Sequence, residues 1–353
     1  MNDVPTPGYW LQGQIFRNQP LTELWAFWNQ HSGAELAPAL AQGFVQVDGQ
    51  ALTSTDHELH PGQHFALYLA EHQEGATDGG WKLLWQNSEL LLVHKPANLP
   101  VSRTTRNLFD TLISRVRRET QYDDAHLLHR LDAETSGLMV LAKNSHCDRK
   151  WKKRLDKLLA RKEYLALVQG RPDWQEFHCE TLLAERSDSA IRSQIYVVDE
   201  ALQAQQPELY GTARHSVTRF RCLASQQTEE GWQTVIHCGL ETGRRHQIRA
   251  QLAWLGFPIM GDKIYSHDGH FYLKRLQQPL AAEDWQVLGA EHHLLHAFEV
   301  ELCQYGNCSI HRDPWIPESW PLWAREQIRD WQLNGSNMAA NVIKNDTDIS
   351  IGD

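Results

Sequence analysis

The chain has 353 residues, 41% hydrophobic and 22% charged, with a net charge of −10. This is globular composition, long enough for one large domain and a small one, and its acidity argues at first sight against a nucleic-acid partner. No apolar run reaches the roughly 18–20 residues of a membrane helix, the start lacks both regions of a signal peptide, and six cysteines are too sparse for a disulfide scaffold, so a reducing cytoplasm is expected.

Residues 8–70 read as a small α+β module. "PLTELWAFWNQH" predicts a helix, "GFVQVDGQAL" two strands about an Asp-Gly turn, and "LHPGQHFALYL" a turn and a last strand. Residues 71–81 are polar and Gly-rich, as a linker is. A second domain is expected over 82–333. It opens with two strands and the loop "KPANLPV", followed by a helix in "NLFDTLISRVRRET". "LLHRLDAETSGLMVLAKN" gives a loop and a buried strand, and 146–160 predicts one helix with Arg149, Lys153 and Lys157 sharing an outer stripe. "EYLALVQG" is a strand, and 177–240 alternate as a sheet, interrupted by a polar insertion around 199–215. "TGRRHQIRAQLAWLG" is a turn and a helix ended by Gly256, "HLLHAFEVEL" a strand and "SWPLWAREQIRDWQL" a late helix. Residues 334–353 are polar and lack aromatics, as disordered tails do.

Charge is unevenly spread. Residues 1–81 hold nine acids and one base, hence −8, whereas residues 143–163 hold nine bases and three acids, hence +6. A polyanion responds to the local patch rather than to the net charge. Such a run taken alone is more often a solvated helix face.

Five segments in order, "KPANLPV", "HRLDAETSGLMVLAK", "RKEYLALVQG", "TGRRHQIRAQLAWLGFPIMGDKIY" and "LLHAFEVEL", resemble the RNA pseudouridine synthases of the RluA type over roughly residues 82–303. The module at 8–70 more faintly resembles an S4-type RNA-binding domain. The resemblance implies an α+β fold, with a mixed, mostly antiparallel sheet, flanking helices and a central cleft. It also implies uridine isomerisation in rRNA or tRNA. Asp132 takes the position of the catalytic aspartate and Arg130 that of the arginine that holds the RNA open around a flipped uridine. Tyr164 is the tyrosine packed on the target base, Arg249 the partner of the aspartate, and Leu295 a pocket leucine. Arg149, Lys153, Lys157, Arg244 and Arg245 are candidate phosphate contacts. The family usually has Thr or Ser at the place of Arg245.

The chemistry accounts for these residue types. Pseudouridylation breaks C1′–N1 and makes C1′–C5, so neither electrons nor water are exchanged and no cofactor or metal is required. One carboxylate must stay ionised in a nearly closed pocket. Desolvation raises its pKa and a nearby guanidinium lowers it again. The uridine must be flipped out of folded RNA at a cost of a few kcal/mol.

Blander readings stand beside each. An isolated Asp132 would be a cap or an ion pair, Tyr164 core, Arg249 a surface pair and His246 structural. His126, His129 and Asp132 lack a fourth ligand for a metal, and Cys303, Cys308 and His311 read as free thiols and a bystander rather than zinc ligands. A catalytically inactive RNA-binding protein on the same fold is the alternative. A glycosidase-like hydrolase would use Glu134 as its second carboxylate. The acidic N-terminal module suggests a protein partner instead of RNA, and no membrane contact is expected.

Overall fold

In the computed structural model, residues 9–29, 34–69, 74–104 and 107–332 are described. The chain forms two compact units: Met1–Asp78 with Leu99–Asp123, and Gly79–Asn98 with Asp124–Asp353. The expected tail at 334–353 lies outside the described residues.

The first unit is α+β. Strand β1 (Tyr9–Gln14), helices α1 (Leu21–Asn29) and α2 (Leu36–Ala41), β2 (Val45–Val47), β3 (Gln50–Ala51) and β4 (His64–Leu69) follow in order. The sheet runs β1-β4-β2-β3. Leu21, Leu24 and Trp25 lie one helical turn apart and are buried against Leu11, Val45 and Leu67. The Asp48-Gly49 pair takes left-handed φ at both positions, 49° and 78°, as a two-residue hairpin requires.

Helix α3 (Leu112–Glu119), expected within the second domain, belongs to this first unit. Leu108 is part of its core, and the Glu74 carboxylate accepts the backbone N–H groups of Leu108, Phe109 and Asp110 ahead of the helix. That link closes a long loop, so local periodicity carries no sign of it.

The second unit is built on one sheet. Its strands are β5 (Lys82–Gln86), β6 (Leu90–Lys95), β7 (His126–Leu127), β8 (Ser136–Ala142), β9 (Leu159–Gln169), β10 (Glu176–Ala184), β11 (Tyr196–Val198), β12 (Arg214–Thr228), β13 (Gly231–Leu240), β14 (Leu295–Gln304) and β15 (Asn307–Arg312). The order is β11-β10-β12-β13-β9-β14-β8-β6-β5, with β7 on β8 and β15 on β14. All pairs are antiparallel except β8–β14, joined through Ser136↔His296 and Gly137↔Ala297. At Gly137, φ is 110° and a Cβ would sit 2.1 Å from the Ala297 carbonyl oxygen, so only glycine admits this approach. All seven residues of β8 are buried, which explains its unbroken apolar run.

The predicted helix at 146–160 is not continuous. Helix α4 (Ser145–Lys152) stops, Arg154 takes φ −130° and ψ 28°, and a single turn, α5 (Leu155–Leu158), leads into β9. Arg149, Lys153 and Lys157 are all exposed, but they do not form one helical stripe. The insertion at 199–215 contains a short helix, α6 (Glu200–Gln205), and folds back so that Arg186 bridges to Tyr210. Helix α7 (Gln247–Trp254) ends at Gly256, φ 88°. Residues 322–332 are helical, with Ala324 and Ile328 fully buried.

Cys303 and Cys308, expected as free thiols, are joined by a disulfide. They face each other across the β14–β15 hairpin, whose turn is formed by Tyr305 and Gly306. Cys147, Cys179, Cys222 and Cys238 are free and buried. No helix among the described residues is long and apolar enough to cross a membrane.

Candidate active site

Asp132 lies on the loop between β7 and β8. That loop is pinned from two directions. The fully buried Lys95 ammonium donates to the backbone oxygens of Pro96 and Ala133, at 2.8 and 2.9 Å. On the far side, Thr135 Oγ1 meets His293 Nε2 at 2.7 Å. A carboxylate on a fixed loop at the mouth of a buried strand is thereby held in place, and its side chain keeps 28% of its surface open.

Arg249, near the start of α7, donates Nη1 to Asp132 Oδ2 at 2.6 Å. Its other donors are held by Asp262, Nε to Oδ2 at 2.7 Å and Nη2 to Oδ1 at 2.9 Å. Asp262 is fully buried and also accepts the backbone N–H groups of Ile264 and Tyr265. The left-handed Gly261 turns the chain into this position; a Cβ there would lie 2.4 Å from the His292 carbonyl oxygen.

His246, immediately before α7, takes left-handed φ 55°. Tyr265 Oη accepts the Ile195 N–H at 2.8 Å, which leaves its own proton to donate to His246 Nδ1 at 3.0 Å. The imidazole proton is then on Nε2, which faces Asp132 Oδ1 at 3.6 Å. Burial pulls the His246 pKa down to about 3, so the ring is neutral at physiological pH.

Burial alone would raise the Asp132 pKa. It is outweighed by the positive charge of His246, Arg249 and His293 and by the Arg249 hydrogen bond, which together hold the carboxyl well below the usual carboxylate range. Near pH 7 both imidazoles are uncharged, because burial takes His293 to about 4. Arg249 therefore carries this effect at working pH. Tyr164 on β9 is buried, and burial followed by the Asp132 charge pushes its phenol well above its ordinary value, so it stays protonated. Leu295 is buried at the start of β14, opposite Ala166.

Glu134 is committed elsewhere. It meets Lys263 Nζ with both oxygens at 2.9 Å, Arg275 Nη1 at 3.2 Å and the His293 N–H at 3.2 Å. Counted together, Asp132, Asp262 and Glu134 balance Arg249, Lys263 and Arg275, three charges of each sign. A second free carboxylate, as a two-carboxylate hydrolase needs, is not what Glu134 offers.

Among the other expected residues, Arg130 is exposed and has no partner among the described residues. The same is true of Arg149, Lys153 and Lys157. Arg244 Nε donates to the His215 carbonyl oxygen at 3.0 Å. Arg245 pairs with Glu185 at 2.9 Å on an exposed edge, so its charge is already engaged. His126 pairs with Asp124, and His129 Nε2 accepts the Val140 N–H, which directs both away from a shared ion with Asp132. Sequence reasoning passed over Asp262 and treated His246 as scaffold. The signals were an acid following Gly261 in "GFPIMGDKIY" and a histidine three residues before Arg249.

A family model described as RNA pseudouridylate synthase matches residues 89–254. The chain is 31% identical over 204 residues to the dual-specificity RNA pseudouridine synthase RluA of Vibrio parahaemolyticus, covering 57% of this chain and 76% of that protein. It is 30% identical over 275 residues to the tRNA pseudouridine(31) synthase of Saccharomyces cerevisiae, covering 72% and 67%. Two further curated relatives are longer, and the chain spans 49% and 48% of their length. Among solved structures, Human RNA Pseudouridylate Synthase Domain Containing 1 aligns with a TM-score of 0.53 at 19% identity, over 70% of this chain and 89% of that one, a likeness of fold.

Proposed function

The chain belongs to the RNA pseudouridine synthases of the RluA type, and from that premise we propose that it isomerises uridine to pseudouridine in rRNA or tRNA, with Asp132 as the catalytic carboxylate. The observation that carries this reading is the ionised, partly open Asp132 held by a buried guanidinium that is itself fixed on Asp262.

The steps balance without added reagents. Asp132 acts on the everted uridine as the C1′–N1 bond breaks. The detached ring turns, C5 bonds to C1′, the C5 proton leaves and N1 gains one. Arg249 keeps the carboxylate charged against desolvation. Tyr164, protonated and buried, offers a ring face to the base and retains it while free of the sugar. Leu295 supplies apolar lining. Arg130, exposed and unpaired, is free to enter the gap left in the RNA stack, and Arg149, Lys153 and Lys157 to meet phosphates. A protein that had lost catalysis would have no use for a depressed, substrate-accessible carboxylate.

We read residues 8–70 as S4-like; residues 1–78 carry −8 and residues 99–123 of the same unit +2, and the resulting −6 suits a protein partner better than RNA. A cytoplasmic setting is supported by the RNA substrate alone, since the four free cysteines are buried and Cys303 and Cys308 are paired. The test is a pseudouridine map of rRNA and tRNA by chemical labelling, before and after deletion of the gene. Loss of one or more sites, restored by the wild-type gene, is expected; an unchanged map contradicts the reading.

A further inference from the structure

Strand β9 carries Tyr164 and, two residues earlier, Lys162. Two residues along a strand bring both side chains to one face, about 6.7 Å apart. Lys162 is half-buried, yet among the described residues its ammonium makes no ion pair and no hydrogen bond. Its neighbours are satisfied. Arg161 is shared by Glu163, Glu299 and Glu301 at 3.4 to 3.9 Å. In the groove that Lys162 lines, Arg219 is held by Glu241 at 3.2 Å, and Asp156 makes no ion pair among the described residues.

The charge that acts on Lys162 is another cation. Burial first, and then Arg244, pull its pKa down. Arg244 spends its Nε on a backbone oxygen, and its two Nη groups are unclaimed among the described residues. Gly243 stands beside the ammonium; a Cβ there would be 3.6 Å from Lys162 Nζ. The influence of Lys162 also reaches His129, whose pKa burial and this ammonium lower to about 4. The residue after Gly243 is thus a second cation close to a half-buried ammonium, and the acids of the groove, Glu241 and Glu301, are paired with Arg219 and Arg161; a half-buried cation with no acid paired to it is costly unless an anion joins it.

We propose that Lys162 and Arg244, with the Gly243 backbone beside them, form the seat for a backbone phosphate next to the everted uridine. The seat rests on the isomerase reading above and deepens it. A phosphate there lies one side-chain step along β9 from the Tyr164 ring, on the same face, so one nucleotide can present its base to Tyr164 and its phosphate to Lys162. A compact ammonium accepts phosphate from several directions, which suits RNA of varied shape. Partial burial strengthens the ion pair relative to the exposed cations of α4.

The probe is bulk tRNA and rRNA from a strain lacking the gene. Binding is measured against salt concentration in an Asp132→Asn background, so that nothing is turned over. Lys162→Gln is expected to lower the slope of log K against log salt by about 0.7–0.9. It is also expected to weaken binding about tenfold at moderate salt, the scale of one charge-assisted contact. Lys162→Arg is expected to keep both. A Lys162→Gln protein with an unchanged circular dichroism spectrum and an unchanged slope overturns the proposal. Should that variant unfold, Lys162→Met and Arg244→Gln carry the same expectation and the same contradiction. Binding and chemistry are read separately. A slope that depends on Lys162 with no pseudouridine formed by wild type sinks the isomerase reading alone, whereas pseudouridine formation with a slope indifferent to Lys162 sinks the phosphate seat alone.

Discussion

Asp262 grips Arg249 with both carboxylate oxygens, 2.7 and 2.9 Å away, and so leaves a single nitrogen of the guanidinium to face Asp132. The arginine is thus fixed by a residue that does not meet substrate. Its direction is set before any RNA arrives, which is what electrostatic preorganisation requires.

Replacing Asp262 with Asn removes one of two anions from a buried guanidinium. Breaking a buried pair on one side costs about 3–5 kcal/mol. We expect a fall of that order in denaturant-unfolding stability, together with a rate loss larger than that of any exposed Arg149 or Lys153 variant. Equal stability in Asp262→Asn and wild type would show that the grip does not matter.

The acid limb of the pH–rate profile tests the role of Arg249. In wild type, Asp132 sits well below the usual carboxylate range, so activity should stay level as pH falls from 7 to about 5. In Arg249→Met, burial is no longer opposed, and the limb moves up past the ordinary Asp value of about 4. A limb at the same pH in both proteins contradicts the assignment.

Much of this site is legible in the sequence. Asp132 and Arg249 stand in segments that resemble the family's motifs, whereas taken alone each reads as an ordinary ion-pairing residue. Asp262 was not legible as their partner, because a loop acid thirteen residues beyond an arginine carries no spacing rule. Lys162 reads as one base among nine in 143–163; only the fold separates it from Arg161, which three glutamates hold. The break at Arg154 was hidden because Leu155, Leu158 and Leu159 still satisfy helical spacing while forming a turn and a strand start. The capture of residues 99–123 by the first unit and the pairing of Cys303 with Cys308 depend on chain reversals that periodicity does not record.

Acid stability follows from four buried imidazoles. Burial lowers His246 to about 3 and His129, His293 and His296 to about 4, from an ordinary 6.5. Between those values the unfolded chain binds protons that the folded one refuses, so stability rises with pH there and is lost as pH falls from 6.5 towards 4. Thermal melts should show the melting temperature falling across that window, before the ordinary carboxylate range is reached. In His296→Phe the fall should be shallower. A melting temperature flat from pH 6.5 to 4.5 would contradict the account.

His246 should matter through position rather than titration. In His246→Phe the Tyr265 link and the N–H facing Asp132 are lost, and the rate should fall about tenfold or more with no limb appearing near pH 6.5. A wild-type profile with a limb near 6.5 that vanishes in this variant would assign His246 a titrating role instead.

The most direct test incubates purified wild-type and Asp132→Asn proteins with bulk rRNA and tRNA from a strain lacking the gene and measures pseudouridine by nucleoside mass spectrometry. Wild type should raise the pseudouridine content, while Asp132→Asn, still folded and still binding the same RNA, should leave it at the starting level. Pseudouridine formed by Asp132→Asn at the wild-type rate would contradict the account.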